Sequence, residues 1–385
     1  MADLQTTVAN PFADLDLDRL RTRTCAKWNL YPTDVLPLWV AEMDAYVAQP
    51  IVDAVMAALA NGDTGYPWGR GYAEAYASYA SDRWGYSPDI TATAMVADVM
   101  SGVREVSRAI GDEESAIILT PAVYPPFYGV AKTLDRPVVA APLNAEGRLD
   151  SAALDAAFKE ATAGGKNAVF LLCNPHNPSG VVHTRAELQN VANLARQYGV
   201  RVISDEIHSP LVMPTSTMVP YLSVANTGPD FAVVSASKGW NLAGFKAALV
   251  LAGADAAEEL AALGFHGAGH IASIAHTAAF NSARDWNDAA IRGIDANRKL
   301  LGDLLETHLP TVGYRMPEAT YLAWLDCSSL GLGDDPAAAF LEKGRVAFNS
   351  GVTFGAGGEG HVRVNMATSP EILEEAVARM VKTVG

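Results

Sequence analysis

Six short runs of nearly continuous apolar residues punctuate the middle of the chain. They are SAIILTP (115–121), RPVVAAP (136–142), NAVFLLC (167–173), VRVISDE (200–206), FAVVSA (231–236) and AALVLAG (247–253). Runs of this length, rich in β-branched residues and lacking strict alternation, read as strands buried on both faces. Between them lie stretches with helical spacing. SAALDAAFKEA (151–161) is one, and HTRAELQNVANLARQYG (183–199) is another. The second opens with Thr184 and Glu187 three residues on, a capping-box signature, and ends near Gly199. Strands alternating with helices predict an α/β fold with a mostly parallel, seven-stranded-type sheet sandwiched by helices.

The C-terminal hundred residues have a different character. A long helical pattern (283–308) precedes TYLAWLD (320–326), the glycine-rich GVTFGAGGEGHVRVNMATS (351–369) and a final helix (370–383). This order predicts a small α+β domain. WVAEMDAY (39–46) runs directly into the helical PIVDAVMAALANG (50–62), so the first 45 residues are expected to pack with that domain. The expected division is a large domain over 46–282 and a small one formed by 1–45 and 283–385.

Composition narrows the function classes. Half of the 385 residues are hydrophobic, 18% are charged and the net charge is -15, which describes a folded globular protein. A surface this acidic, without a basic tract, argues against nucleic acid as a partner. No apolar run reaches the ~20 residues of a bilayer span. The N-terminal segment lacks the basic start and apolar stretch of a signal peptide. Cys25, Cys173 and Cys327 are far apart, form no CxxC pair and read as structural thiols. These features together predict a cytoplasmic protein that does not bind membranes. His266, His270 and His276 lack HExxH spacing, so no metal site is expected.

On parallel sheets, ligands sit beyond the carboxyl ends of the strands. The residues there are Tyr124, Asn174 and Asn177, Asp205, and Lys238. A lysine among apolar residues loses its proton below the ~10.4 of a free side chain and can then attack an aldehyde. Ser235 and Ser237 offer hydroxyls to a phosphate. Asp205 can keep a pyridinium nitrogen protonated, and the Tyr124 ring can stack on a flat heterocycle. Together these parts describe a pyridoxal-phosphate site. Each has a plainer alternative: a paired structural lysine, a helix-capping aspartate, a turn asparagine, a core tyrosine. The ordered set carries the inference.

TPAVYPPF, NPHNPSG, SDEIH and SASKGWNLAGFK resemble the motif series of fold-type I pyridoxal-phosphate enzymes, the aminotransferase class I/II group. WVAEMD, SDEIH, SASK-x-WNLAG, TYLAWLD and the segment ending in GGEGHVRVN are most similar to its cystathionine β-lyase branch, the MalY/PatB-type C–S lyases. The resemblance implies that Lys238 binds pyridoxal 5'-phosphate as a Schiff base and moves the α-proton, with Tyr124 stacked on the ring. It implies that Asp205 pairs with the ring nitrogen, and that Asn177 bonds the ring hydroxyl with His208 nearby. Ser235, Ser237, Lys246 and the N–H groups of Gly102, Val103 and Arg104 would hold the phosphate, aided by a helix N-terminus. Arg363 would grip the substrate carboxylate as a fork, although a surface ion-pair role is its bland alternative. Ala41 would border the same substrate. Tyr66 in TGYPWG would reach the phosphate of a neighbouring subunit, which implies a homodimer.

Two departures stand out. Lys246 occupies a position where many relatives carry an arginine. Ala45 replaces a large aromatic and leaves the pocket's shape open. The implied reaction is α,β-elimination of cystathionine or another S-substituted cysteine to a thiol, pyruvate and ammonia. Methionine biosynthesis, sulfide release and thiol release all fit that reaction. Transamination is the alternative enzyme reading, and a non-catalytic binding or regulatory role is the alternative of another class.

Overall fold

The computed structural model describes residues 8–13, 15–265 and 267–385. Seven strands form the large sheet: β1 (Thr93–Val96), β2 (Ala116–Leu119), β3 (Val138–Ala140), β4 (Ala168–Cys173), β5 (Arg201–Asp205), β6 (Phe231–Val234) and β7 (Ala248–Ala252). Their order is β1-β7-β6-β5-β4-β2-β3. Only β7 runs against its neighbours. Six of these strands lie in the six apolar runs. The seventh, β1, has one fully buried residue in four and no such run to announce it.

Alternation within the strands explains how both faces are covered. Val169 and Leu171 of β4 pack with Val103, Val106 and Phe127 on one side. Phe170 and Leu172 pack with Phe158, Leu188 and Val191 on the other. The helix Arg185–Tyr198 starts with the expected capping box: Glu187 N–H donates to Thr184 Oγ1 (3.2 Å) and Thr184 N–H to Glu187 Oε2 (2.6 Å). Gly199 ends it in the left-handed conformation, which glycine adopts without steric cost.

A second, four-stranded antiparallel sheet comprises Asn349–Ser350, His361–Asn365, Leu322–Asp326 and Gly313–Tyr314, in that order. The helices Arg284–His308 and Pro370–Val384 cover it. Leu36–Pro37 pairs in parallel with Val346–Ala347. Leu15, Leu20, Trp28, Leu36 and Leu38 share this sheet's core. Lys27 and Asp44 form an ion pair of 2.7 Å in which each residue is only 1% exposed. Trp28 Nε1 donates to the same Asp44 carboxylate. Among the described residues, no helix is long and apolar enough to cross a membrane. Nor does any cluster of three or more His, Cys, Asp or Glu side chains that could hold a metal occur among them. His266 lies outside the described residues. His276 bonds Tyr72 OH and the Phe245 carbonyl, and His270 bonds Asp63.

Candidate active site

The ends of β4, β5 and β6 open into a cavity of about 330 Å³ between the two sheets. Asn177, Asp205, His208 and Lys238 line it with Tyr124, and Arg363 closes it from the small sheet. The cavity thus collects, from segments far apart in sequence, the strand-end residues singled out by pattern except Asn174, which is buried outside it and donates to Glu206 Oε1 and the Val219 carbonyl.

Lys238 faces the cavity and is enclosed by protein on its other sides. Its Nζ donates to the Ala41 carbonyl at 2.7 Å. Desolvation, with the Arg363 charge nearby, pushes its pKa down to about 8. Ala41 therefore contributes through its main chain, as an anchor for the lysine. Asp205 ends β5, and one oxygen accepts from Ile207 N–H at 3.1 Å. Burial raises its pKa to about 7, opposed by that hydrogen bond and by Lys238. No α-helix follows for it to cap; a turn and a single 3₁₀ turn (Ser209–Leu211) come next. A buried carboxyl with this little support suits a cationic nitrogen placed against it.

Arg363 is 4% exposed. Its guanidinium donates to Asn177 Oδ1 (3.1 Å), Asn349 Oδ1 (3.1 Å) and the Trp39 carbonyl (3.2 Å), and it lies 5.1 Å from the Phe354 ring centroid. It is no surface ion-pair residue. Every acceptor around it is neutral, so its charge is free for a carboxylate. Because Asn177 Oδ1 accepts from Arg363, the amide nitrogen of Asn177 is the end left to bond another group. His208 is buried with Nδ1 unpaired among the described residues, and burial together with Lys238 and Arg363 keeps its ring neutral.

The phosphate end differs in detail from expectation. The helix starts at Val99, three residues before Gly102. Asp98 caps it: Ser101 N–H donates to Asp98 Oδ1 (2.7 Å) and Asp98 N–H to Ser101 Oγ (2.9 Å). Gly102 N–H already donates to the Asp98 carbonyl (3.0 Å). Val103 and Arg104 lie in the second turn, where N–H groups are spent on the helix. These three residues therefore cannot form the cradle. The first-turn N–H groups of Val99 and Met100 have no intrahelical acceptor, and both residues line the cavity. Gly102 serves close packing instead. An added Cβ would meet Val96, Val233 and Val250 at 3.1–3.2 Å, so glycine lets the helix lie against the sheet. The clue in the sequence was Asp98 with Ser101 three residues later.

Ser235 Oγ donates to the Ala247 carbonyl (2.7 Å) and lies 2.8 Å from Ser237 Oγ. Ser235 thereby fixes the turn that holds Ser237. Lys246 Nζ bonds Asp98 Oδ2 at 2.8 Å, at the same helix end. Ala45 is buried in the core beneath the helix Gln49–Ala60 and does not line the cavity. Tyr66 is 96% exposed and is not among the residues lining the cavity of its own chain. Pattern reasoning missed Val40, Met100, Pro125, Pro126, Asn349 and Thr353, all of which line the cavity. Val40, Pro125, Pro126 and Thr353 lie inside segments quoted above but carry no chemistry that marks them, Met100 sits in the first turn of the helix from Val99, and Asn349 belongs to a two-residue strand of the small sheet.

The residues present fit pyridoxal 5'-phosphate. There is a lysine of lowered pKa, a buried carboxyl for the ring nitrogen, an unpaired His208 nitrogen, and free N–H groups at a helix start.

Comparison with known proteins agrees. Residues 33–380 match the family described as "Aminotransferase class I and II". A Mycobacterium leprae protein with a provisional cystathionine β-lyase name is 50% identical over 97% of this chain and 98% of its own length. Cystathionine β-lyase PatB of Bacillus subtilis is 31% identical over 90% of this chain and 92% of its own. A crystal structure provisionally described as a PLP-dependent β-cystathionase from Corynebacterium diphtheriae superposes with a TM-score of 0.90 at 31% identity, covering 96% of this chain and 98% of that one. The architecture is that of fold-type I pyridoxal-phosphate enzymes, and the chain belongs to the aminotransferase class I and II family, in the branch that contains the cystathionine β-lyases.

Proposed function

We propose that the protein is a pyridoxal-phosphate-dependent C–S β-lyase that converts L-cystathionine or other S-substituted L-cysteines to a thiol, pyruvate and ammonia. The observation that carries this reading is the convergence of Lys238, Asp205 and Arg363 on one cavity beside Asn177. The bound coenzyme supplies a protonated ring that accepts the electron pair left by the departing α-proton. Arg363 holds the α-carboxylate and so fixes which Cα bond faces Lys238. Lys238, with its lowered pKa, takes the α-proton at Nζ in its neutral form. Asp205 keeps the ring nitrogen protonated. Loss of the thiolate from Cβ then leaves an enamine, which water converts to pyruvate and ammonium.

The catalytic set is Lys238 with Tyr124 against the ring. Asn177, Asp205, His208, Ser237 and the N–H groups of Val99 and Met100 hold the coenzyme, with Ser235 and Lys246 supporting the phosphate end. Tyr66 and Trp68 are 96% and 98% exposed, and Tyr46, Met56 and Leu59 on the adjoining segment are also exposed. So much apolar surface favours coverage by a second copy of the chain. In the proposed homodimer Tyr66 reaches the partner's phosphate. The three cysteines are free, which suits the cytoplasm.

The test is incubation of the purified, coenzyme-loaded protein with cystathionine and S-methylcysteine, without a 2-oxo acid. Pyruvate, ammonia and thiol in equal amounts support the lyase. Turnover only after an oxo acid is added makes it an aminotransferase and overturns the reading.

A further inference from the structure

The lining of the cavity divides into committed and uncommitted parts. Asp205, Lys238 and Arg363 are its charged residues, and His208 is held neutral. Asp205 and Lys238 belong to the coenzyme, and Arg363 belongs to the α-carboxylate. The side chains left uncommitted include those of Val40, Met100, Pro125, Pro126, Asn349 and Thr353. Four of these are apolar. Asn349 already has its oxygen on Arg363, and its amide nitrogen lies 3.2 Å from Thr353 Oγ1. Thr353 donates to the Ser350 carbonyl at 2.7 Å and is solvent-exposed, so it marks the mouth.

A cystathionine molecule brings a second ammonium and a second carboxylate on its far arm. Among the described residues lining the cavity, no charge is left to meet either one. The volume of about 330 Å³ is at the small end for ligand sites, and coenzyme and substrate share it. Moving an unpaired charge out of water is costly, whereas moving a methylene is favourable. In the homodimer proposed above, the tip of the loop brought to the neighbouring site carries Tyr66 and Trp68, with Asp63, which bonds His270, and Arg70 at its two ends.

We propose that the preferred substrates are cysteines whose sulfur bears a small uncharged alkyl group, in preference to thioethers that end in a second amino-acid head. This rests on the lyase reading, and it names the substrate class of that site.

The test compares S-ethyl-L-cysteine with L-cystathionine on the loaded enzyme, following pyruvate. The expected result is a kcat/KM at least tenfold higher for S-ethylcysteine. Calorimetric binding of the corresponding 2-methyl analogues, which lack the α-hydrogen and cannot react, is expected to rank the two side chains in the same order. Thr353→Arg adds a cation at the exposed mouth and is expected to narrow the ratio at least threefold by improving cystathionine. Equal or better use of cystathionine by the wild type overturns the proposal, as does an unchanged ratio in the Thr353→Arg variant. If neither compound yields pyruvate, the lyase reading fails. Calorimetry then still decides the side-chain preference: tighter binding of the ethyl analogue upholds it, and equal or weaker binding overturns it.

Discussion

Asp205 lets function be separated from stability by a single substitution. In the coenzyme-free protein its carboxyl is buried with one weak backbone donor, and its pKa rises to about 7. In the unfolded chain an aspartate titrates near 3.9. Between those values the native state holds a proton that the unfolded state has released, so stability falls as pH rises through this window. Each pH unit is worth about 1.4 kcal/mol, so the cost reaches about 4 kcal/mol by pH 7 and stays constant above it. Asp205→Asn removes the titration and keeps an oxygen for Ile207 N–H. Glu206 and Asp230, whose pKa values are raised to about 7 and about 6, slope the same way but remain in both proteins.

The assay is urea unfolding of coenzyme-free wild type and Asp205→Asn at half-unit steps from pH 4 to pH 8. The two proteins are expected to match near pH 4. The variant gains steadily to about 4 kcal/mol at pH 7, while its affinity for the coenzyme falls. A difference that does not change with pH, or a variant less stable at pH 7, would refute the assignment of Asp205 as a destabilising charge kept for the ring nitrogen.

Three further outcomes are expected. Lys238→Ala should lower elimination by about 10⁴-fold, the upper range for a lost acid–base group, and borohydride should no longer fix coenzyme to the peptide containing position 238. Lys27→Met should destabilise the protein by about 3–5 kcal/mol, because Asp44 is left buried and unpaired; Lys27→Met combined with Asp44→Leu should recover most of that loss in the same unfolding experiment. Arg363→Lys keeps the charge but loses the fork, and kcat/KM should fall about 10- to 100-fold, mainly through KM, as expected for one or two lost charge-assisted hydrogen bonds.

What the sequence revealed follows from how local each signal is. Lys238, Asp205, Asn177 and Tyr124 were legible because each follows an apolar run, and the geometry of a parallel sheet brings such ends together. The helix after Thr184 was legible because both halves of its cap lie within four residues. The strand Thr93–Val96 was not, since an edge strand packed on one side needs no continuous apolar run. The helix at the phosphate end begins three residues before the Gly102 to which the resemblance points, and Gly102 itself serves close packing against β1, β6 and β7, a contact distant in sequence. The pairing of Lys27 with Asp44 and the lining residues Asn349 and Thr353 depend on contacts distant in sequence, and no local pattern encodes them.

Arg363 shows why that distant information matters for catalysis. Its acceptors come from three parts of the chain: Asn177 after β4, Trp39 in the N-terminal segment and Asn349 in the small sheet. The segment after Trp39 also carries the Ala41 carbonyl that holds Lys238. It is anchored by the Lys27–Asp44 pair, by Asn241 Nδ2 on the Met43 carbonyl and by Asn365 Nδ2 on Val40 and Glu42. The carboxylate grip and the proton-transferring amine are therefore set by one short, heavily braced stretch. Losing that brace should displace Arg363 and Lys238 together. Lys27→Met, assayed at a temperature where it remains folded, should then raise KM and lower kcat in the same protein. A change in stability alone, with both kinetic constants intact, would show that the brace serves folding and not the site.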